Sequence, residues 1–168
     1  HQQFYSELPP SAKLIGYGID FGFSDPCTLI KVHKDGDSIY CEELLYLRNV
    51  TIPDFIYKIK DLGINLTDDF ICDSANPQAI AEMSRNGINA KPVKKDTILS
   101  GIDQIKRCNF FVHDNSKNLQ EELNSYVWKT NKDGNNLDEP EDKNNHLIDP
   151  IRYLLTMKVM RNTGVYVY

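Results

Sequence analysis

Residues 13–20 read KLIGYGID, with apolar and polar or small positions alternating until the run closes on Asp20. Alternation of period two predicts a half-buried strand, with Asp20 at its C-terminal end. FGFSDP, residues 21–26, is rich in turn formers and reads as a loop, and CTLIKVHK after it reads as a second strand. DGD at 35–37 predicts a hairpin turn, because Asp-Gly accepts the positive φ angles that tight hairpins need. SIYCEELLYL, residues 38–47, is then a third strand. Three consecutive strands with short connections predict an antiparallel meander.

From residue 51 the period lengthens. TIPDFIYKIKDLG, 51–63, carries a Thr start, an early Pro, apolar residues at helical spacing and a terminal Gly. DDFICD, 68–73, predicts a short buried strand ending in Asp73. NPQAIAEMSRNG, 76–87, predicts a helix with Asn as N-cap, Pro at the first position and Gly just past the end. INAKPV and NFFVH read as strands, with a helix over 97–107 between them. A further helix over 116–128 places Leu119, Leu123, Tyr126 and Val127 on one stripe. Residues 129–145, almost without apolar side chains, predict a polar loop, and a last helix runs from about 146 to 161. This order predicts an α/β domain over residues 13–168: one central mixed sheet, its first three strands antiparallel, flanked by helices. Residues 1–12, with Pro9-Pro10, read as a linker or a remnant of cloning.

Composition narrows the class without choosing a function. The chain has 168 residues, enough for one domain with a core, and a formal net charge of −5. It contains no apolar run of the roughly 18 residues a membrane span requires, and no signal-peptide pattern opens it. Cys27, Cys41, Cys72 and Cys108 form no C-x-x-C pair and read as reduced, structural thiols. An acidic balance argues against an ordinary nucleic-acid binder. It does not exclude a metal-dependent nuclease, whose clustered carboxylates are offset by bound cations.

The candidate chemistry lies in carboxylates at element ends. Asp20 and Asp73 each close an apolar strand, where sites gather in sheets with parallel strands. If those strands are neighbours, the carboxylates converge, repel and raise each other's pKa, and a divalent cation relieves the repulsion. Hard oxygen donors suit magnesium or manganese. Taken alone, each aspartate reads better as a turn or cap residue than as a site residue. In NNHLIDPIRYLL, residues 144–155, His146 and Asp149 stand three apart and would share a helix face. Asp149 before Pro150 also makes a good N-cap and first-turn pair. A third carboxylate would complete a site able to bridge two metal ions, with His146 binding metal, orienting water or carrying a proton.

GYGIDFGFSDPCTLIKV, FICDSANPQAI and NNHLIDPIRYLL, in this order, resemble the nuclease domain of bacteriophage terminase large subunits. The resemblance spans about residues 13–160. It implies a ribonuclease H-like fold and a two-metal endonuclease, using magnesium or manganese, that cuts double-stranded concatemeric DNA during packaging. By the same resemblance Asp20, Asp73 and Asp149 hold the metals, and His146 matches the accompanying histidine. Asp at the second position replaces the Glu of many ribonuclease H-like enzymes. Pro150 stands where similar sequences often carry Ala. The implied partners are double-stranded DNA, an N-terminal ATPase domain, a small terminase subunit and a portal, in the cytoplasm of a bacterial host. The isolated domain is expected to be a monomer. G-x-x-x-x-G-K-[ST] is absent from the chain, which fits an excised C-terminal domain.

Basic residues cluster in an otherwise acidic chain at 84–107, and Lys94, Lys95 and Arg85 are the candidates for phosphate contacts, beside the alternative of solvated surface. Asp25 is a loop carboxylate near Asp20. Loop 131–145 is expected to border a DNA groove, and Trp128 to pack in the core. Two alternatives stay open: another ribonuclease H-like nuclease of resolvase or transposase type, and a catalytically silent nucleic-acid-binding or assembly module.

Overall fold

The structure, a computed structural model, describes residues 2–94, 106–133 and 145–162. Seven strands form one mixed sheet: β1 (Gln3–Tyr5), β2 (Lys13–Asp20), β3 (Cys27–Asp35), β4 (Ser38–Leu47), β5 (Phe70–Cys72), β6 (Ala90–Pro92) and β7 (Asn109–His113). Among the described residues, the helices that flank it are α1 (Ile52–Asp61), α2 (Pro77–Arg85), α3 (Lys117–Asp133) and α4 (Ile148–Asn162). The order across the sheet is β1-β7-β4-β3-β2-β5-β6. β2, β3 and β4 form the antiparallel meander, and every other pairing is parallel.

Strand alternation divides the core into two layers. Tyr17, Ile19, Leu29, Phe70 and Cys72 face one side, where Phe55, Ile56 and Ile59 of α1 and Met83 of α2 cover them. Ile30, Val32, Ile39, Ile71 and Val112 face the other, under Leu119 of α3 and Ile151, Leu154 and Leu155 of α4. The local signals act as expected. Thr51 and Asp54 close a capping box on α1. Asn76 accepts the Ala79 amide at 3.1 Å to start α2, and Pro77 follows at the first position. The two-residue turn after Asp35 takes Gly36 at φ 56°.

Three expectations shift. Residues 3–5 of the segment read as a linker are a strand, β1, parallel to β7 with Phe4 level with Val112. Tyr5 packs edge-on against Tyr40 and His113 at 5.2 and 5.1 Å. Three residues are too few for alternation to signal a strand. The α3 helix continues through Lys129–Asp133, where a loop was expected, because polar residues do not break a helix and the first breaker in the sequence is Gly134. The last helix starts at Ile148 rather than 146. The helix expected at 97–107 lies outside the described residues except for Lys106 and Arg107, which are helical. Also outside them are Lys95, most of loop 131–145 and the side chain of Trp128. All four cysteines are free thiols, with Cys27, Cys41 and Cys72 buried.

Candidate active site

β2 and β5 are parallel neighbours, with Ile19 level with Cys72. The next residue along each is an aspartate, so Asp20 and Asp73 leave adjacent strands at one level, and such strands lie about 4.8 Å apart. Ile19 and Cys72 face α1 and α2, so by alternation the two aspartates turn to the α4 side. One oxygen of Asp73, Oδ1, also accepts the Ala75 amide at 3.0 Å. The turn hydrogen bond uses one oxygen of Asp73 and does not by itself exclude a site role.

The start of α4 rests on this corner. A Cβ on Gly18 would come within 2.5 Å of the Pro150 carbonyl oxygen and 2.8 Å of its carbon. Only glycine allows that approach of helix backbone to strand. The Asp149 amide donates to the Asn145 carbonyl at 2.9 Å, so the helical hydrogen-bond pattern already reaches back to 145. His146 and Asp149 consequently sit one turn apart and face the strand ends together. Nδ1 of His146 lies 3.5 Å from Oδ2 of Asp20. Thr28, fully buried and opposite Asp20 in the β2–β3 register, donates to the His146 carbonyl at 2.5 Å. Asp149 is a first-turn residue of α4, not its N-cap, and Arg152 donates to its Oδ1 at 2.5 Å.

The electrostatics identify one shared corner. Asp20 is pushed from 3.8 up to about 8, first by burial and then by the charges of Asp149, Asp73, Glu122 and Asp25. Asp25, exposed in the 21–26 loop, acts most weakly of the four. The buried Tyr153 hydroxyl is raised by burial and then by Asp149, Asp20 and Asp73, so all three carboxylates reach it.

Donor chemistry fits a hard divalent cation: carboxylate oxygens near enough to one another to raise the Asp20 pKa beyond what burial does. As they stand, no three His, Cys, Asp or Glu side chains among the described residues close around an ion. Asp149 pairs with Arg152, and Asp20 lies against His146.

Glu122 is one residue that sequence reasoning missed. It is 4% exposed, and its Oε2 accepts the Leu147 and Ile148 amides at 2.9 and 3.1 Å. It is pushed up to about 7, burial outweighing those hydrogen bonds, with Asp149 adding to the rise. A signal was available: Glu122 falls between Leu119 and Leu123 on the apolar stripe of α3, where a carboxylate needs a buried partner. Arg152, placed one turn after Asp149, was missed for want of any motif.

The basic candidates separate. Lys94 follows β6, whose Pro92 is level with Cys72, so it lies at the same sheet edge as Asp73. Arg85 ends α2, which leaves that edge and returns the chain to the start of β6 at the opposite edge.

Comparison with known proteins shows the family of the chain. The sequence profile described as "Terminase RNAseH like domain" matches residues 20–157. The chain belongs to this family. The terminase large subunit of Bacillus phage SPP1 is 29% identical over 163 residues, covering 90% of this chain and 37% of that protein. The chain therefore spans well under half the length of that relative. The crystal structure of the SPP1 large terminase nuclease domain with bound Mn superposes at a TM-score of 0.65, with 26% identity over 84% of this chain and 85% of that one. The P22 large terminase nuclease domain gives a TM-score of 0.66 with 17% identity, covering 98% and 91%. The terminase ribonuclease H-like fold is thus present here. No helix among the described residues is long and apolar enough to cross a membrane.

Proposed function

We propose that this terminase domain is a metal-dependent endonuclease that hydrolyses double-stranded DNA at the beginning and end of phage genome packaging. One observation carries the reading: Asp20 and Asp73 lie at the level ends of parallel neighbours, beside the helix start that carries Asp149 and touches β2, and burial first, then the charges of Asp149 and Asp73, raise Asp20 to about 8. Manganese in the SPP1 nuclease domain of similar fold supports the same use of metal.

Asp20, Asp73 and Asp149 would hold two ions, magnesium or manganese. When bound, such ions supply a nucleophilic water at neutral pH and stabilise the leaving oxygen of the phosphodiester. Within the protein, Asp20 gives up the proton that burial otherwise keeps on it. His146, next to Asp20, is placed to orient the attacking water or carry its proton. Arg152 steadies Asp149 on the helix and adds positive charge where phosphate arrives. Lys94, with Lys95 beside it in sequence, is placed to contact the DNA backbone at the Asp73 edge. In the whole protein, the partners would be an ATPase domain, a small subunit and a portal, in the host cytoplasm. The domain alone would be a monomer.

Supercoiled plasmid incubated with manganese, magnesium or EDTA tests this. The expected result is cutting with metal, none with EDTA, and none with Asp20→Asn or Asp73→Asn. Absence of nicking by the wild-type domain at every metal and protein concentration would leave a silent DNA-binding or assembly module as the better reading.

A further inference from the structure

We infer that Glu122 is a positioning residue that sets the place of His146 and Asp149 by capping the turn between them from a neighbouring helix. The first amides of an α-helix have no partner within it. Leu147 and Ile148 lie between His146 and Asp149, and both donate to the Glu122 carboxylate, Leu147 to its two oxygens at 2.9 and 3.2 Å and Ile148 to Oε2 at 3.1 Å. The cap thus comes from α3 rather than from a local Ser, Asn or Asp, the usual source.

The α3 helix is itself fixed in the same manner. Glu43 of β4 takes the Asn118 and Leu119 amides on Oε1 at 2.7 and 3.3 Å and the Asn118 side-chain amide on Oε2 at 2.9 Å. The Glu43 amide donates to the buried Ser116 hydroxyl at 2.9 Å. Two carboxylates in series therefore cap two consecutive helices: Glu43 ties α3 to the sheet, and Glu122 ties α4 to α3. Asp20 and Asp73 are brought level by the register of β2 and β5. Asp149 and His146 come from a separate element, and this relay, together with the Gly18 contact and Thr28, gives them a fixed position against the strand ends.

The consequence for metal rests on the nuclease reading above, whereas the consequence for the turn does not. Two measurements keep them apart. Amide hydrogen exchange followed by NMR should show Leu147 and Ile148 exchanging at least about tenfold faster in Glu122→Ala, with Ile19 in β2 unchanged. Mn2+ affinity, followed by the paramagnetic relaxation of water, should fall by about 10–100-fold, the range for residues that orient metal ligands. Glu122→Gln retains one acceptor and should fall between wild type and Glu122→Ala in both. It also serves as the test variant should Glu122→Ala not fold. Unchanged exchange at Leu147 and Ile148 in the variants overturns the inference. So does a loosened turn with undiminished Mn2+ affinity. Wild-type protein that neither binds Mn2+ nor cuts DNA would instead overturn the nuclease reading, while the exchange rates would still decide whether Glu122 holds the turn.

Discussion

Gly18 of β2 lies directly beneath Pro150 of α4, so close that a single added carbon would meet the Pro150 carbonyl oxygen at 2.5 Å. This contact fixes how near Asp149 can come to Asp20, because each aspartate is within two residues of the touching point. Gly18→Ala must push the helix start away from the strand. Backbone, not a flexible side-chain end, is in the way, so the expected cost is about 1–3 kcal/mol, as for other overpacked sites. DNA cutting should fall further than stability accounts for. Thermal melting alongside plasmid cleavage checks this, and a variant with native melting and native cutting would contradict it.

The raised Asp20 carboxyl makes stability depend on pH in a definite direction. With a folded pKa of about 8 against an unfolded value of 3.8, the native state binds the proton more tightly. Its contribution is complete below about pH 4 and is lost as pH rises through about 8. Glu122, raised to about 7, acts in the same sense over a narrower window. Metal-free domain should therefore melt at a lower temperature at pH 8 than at pH 5. Asp20→Asn should remove most of that decline and be more stable than wild type at pH 8, by on the order of a few kcal/mol. Millimolar Mn2+ should restore wild-type stability at pH 8 and do little for Asp20→Asn. Melting curves across pH, with and without metal, read all three effects, and a wild-type melting temperature that rises from pH 5 to 8 without metal would contradict the account.

Lys94 lies at the Asp73 edge of the sheet, and Lys95 adjoins it in sequence. The double change Lys94→Ala, Lys95→Ala should weaken duplex binding uniformly across sequences. It should also flatten the dependence of log affinity on log salt by up to about 0.9 per lost phosphate contact. Arg85→Ala, at the far edge, should change neither. Fluorescence anisotropy at several salt concentrations separates these outcomes. Unchanged affinity of the double variant at low salt would retire the lysines as DNA contacts.

Much of this arrangement was legible in the chain, for reasons that differ element by element. KLIGYGID announces its bounds because alternation and the following turn residues agree, and SIYCEELLYL because it is an apolar-rich run after the Asp-Gly turn. Asp20 and Asp73 stood out because each ends an apolar run. Their convergence depends on β2 pairing β5, a long-range choice that no local pattern encodes. The β1 strand escaped notice because three residues carry no period, and because its stability comes from pairing with β7, about a hundred residues away in sequence. Glu122 escaped notice because its partners are backbone amides on another helix, and backbone amides leave no mark in a sequence. Asp149 was visible both as a cap and as a site residue. The structure makes it a first-turn residue of α4 whose carboxylate Arg152 steadies.

Diffraction from crystals soaked in Mn2+, recorded at a wavelength where manganese scatters anomalously, tests the central claim most directly. Anomalous peaks are expected among the carboxylates of Asp20, Asp73 and Asp149, lost in crystals of Asp20→Asn. Well-diffracting crystals with millimolar Mn2+ and no peak at these three residues would contradict it.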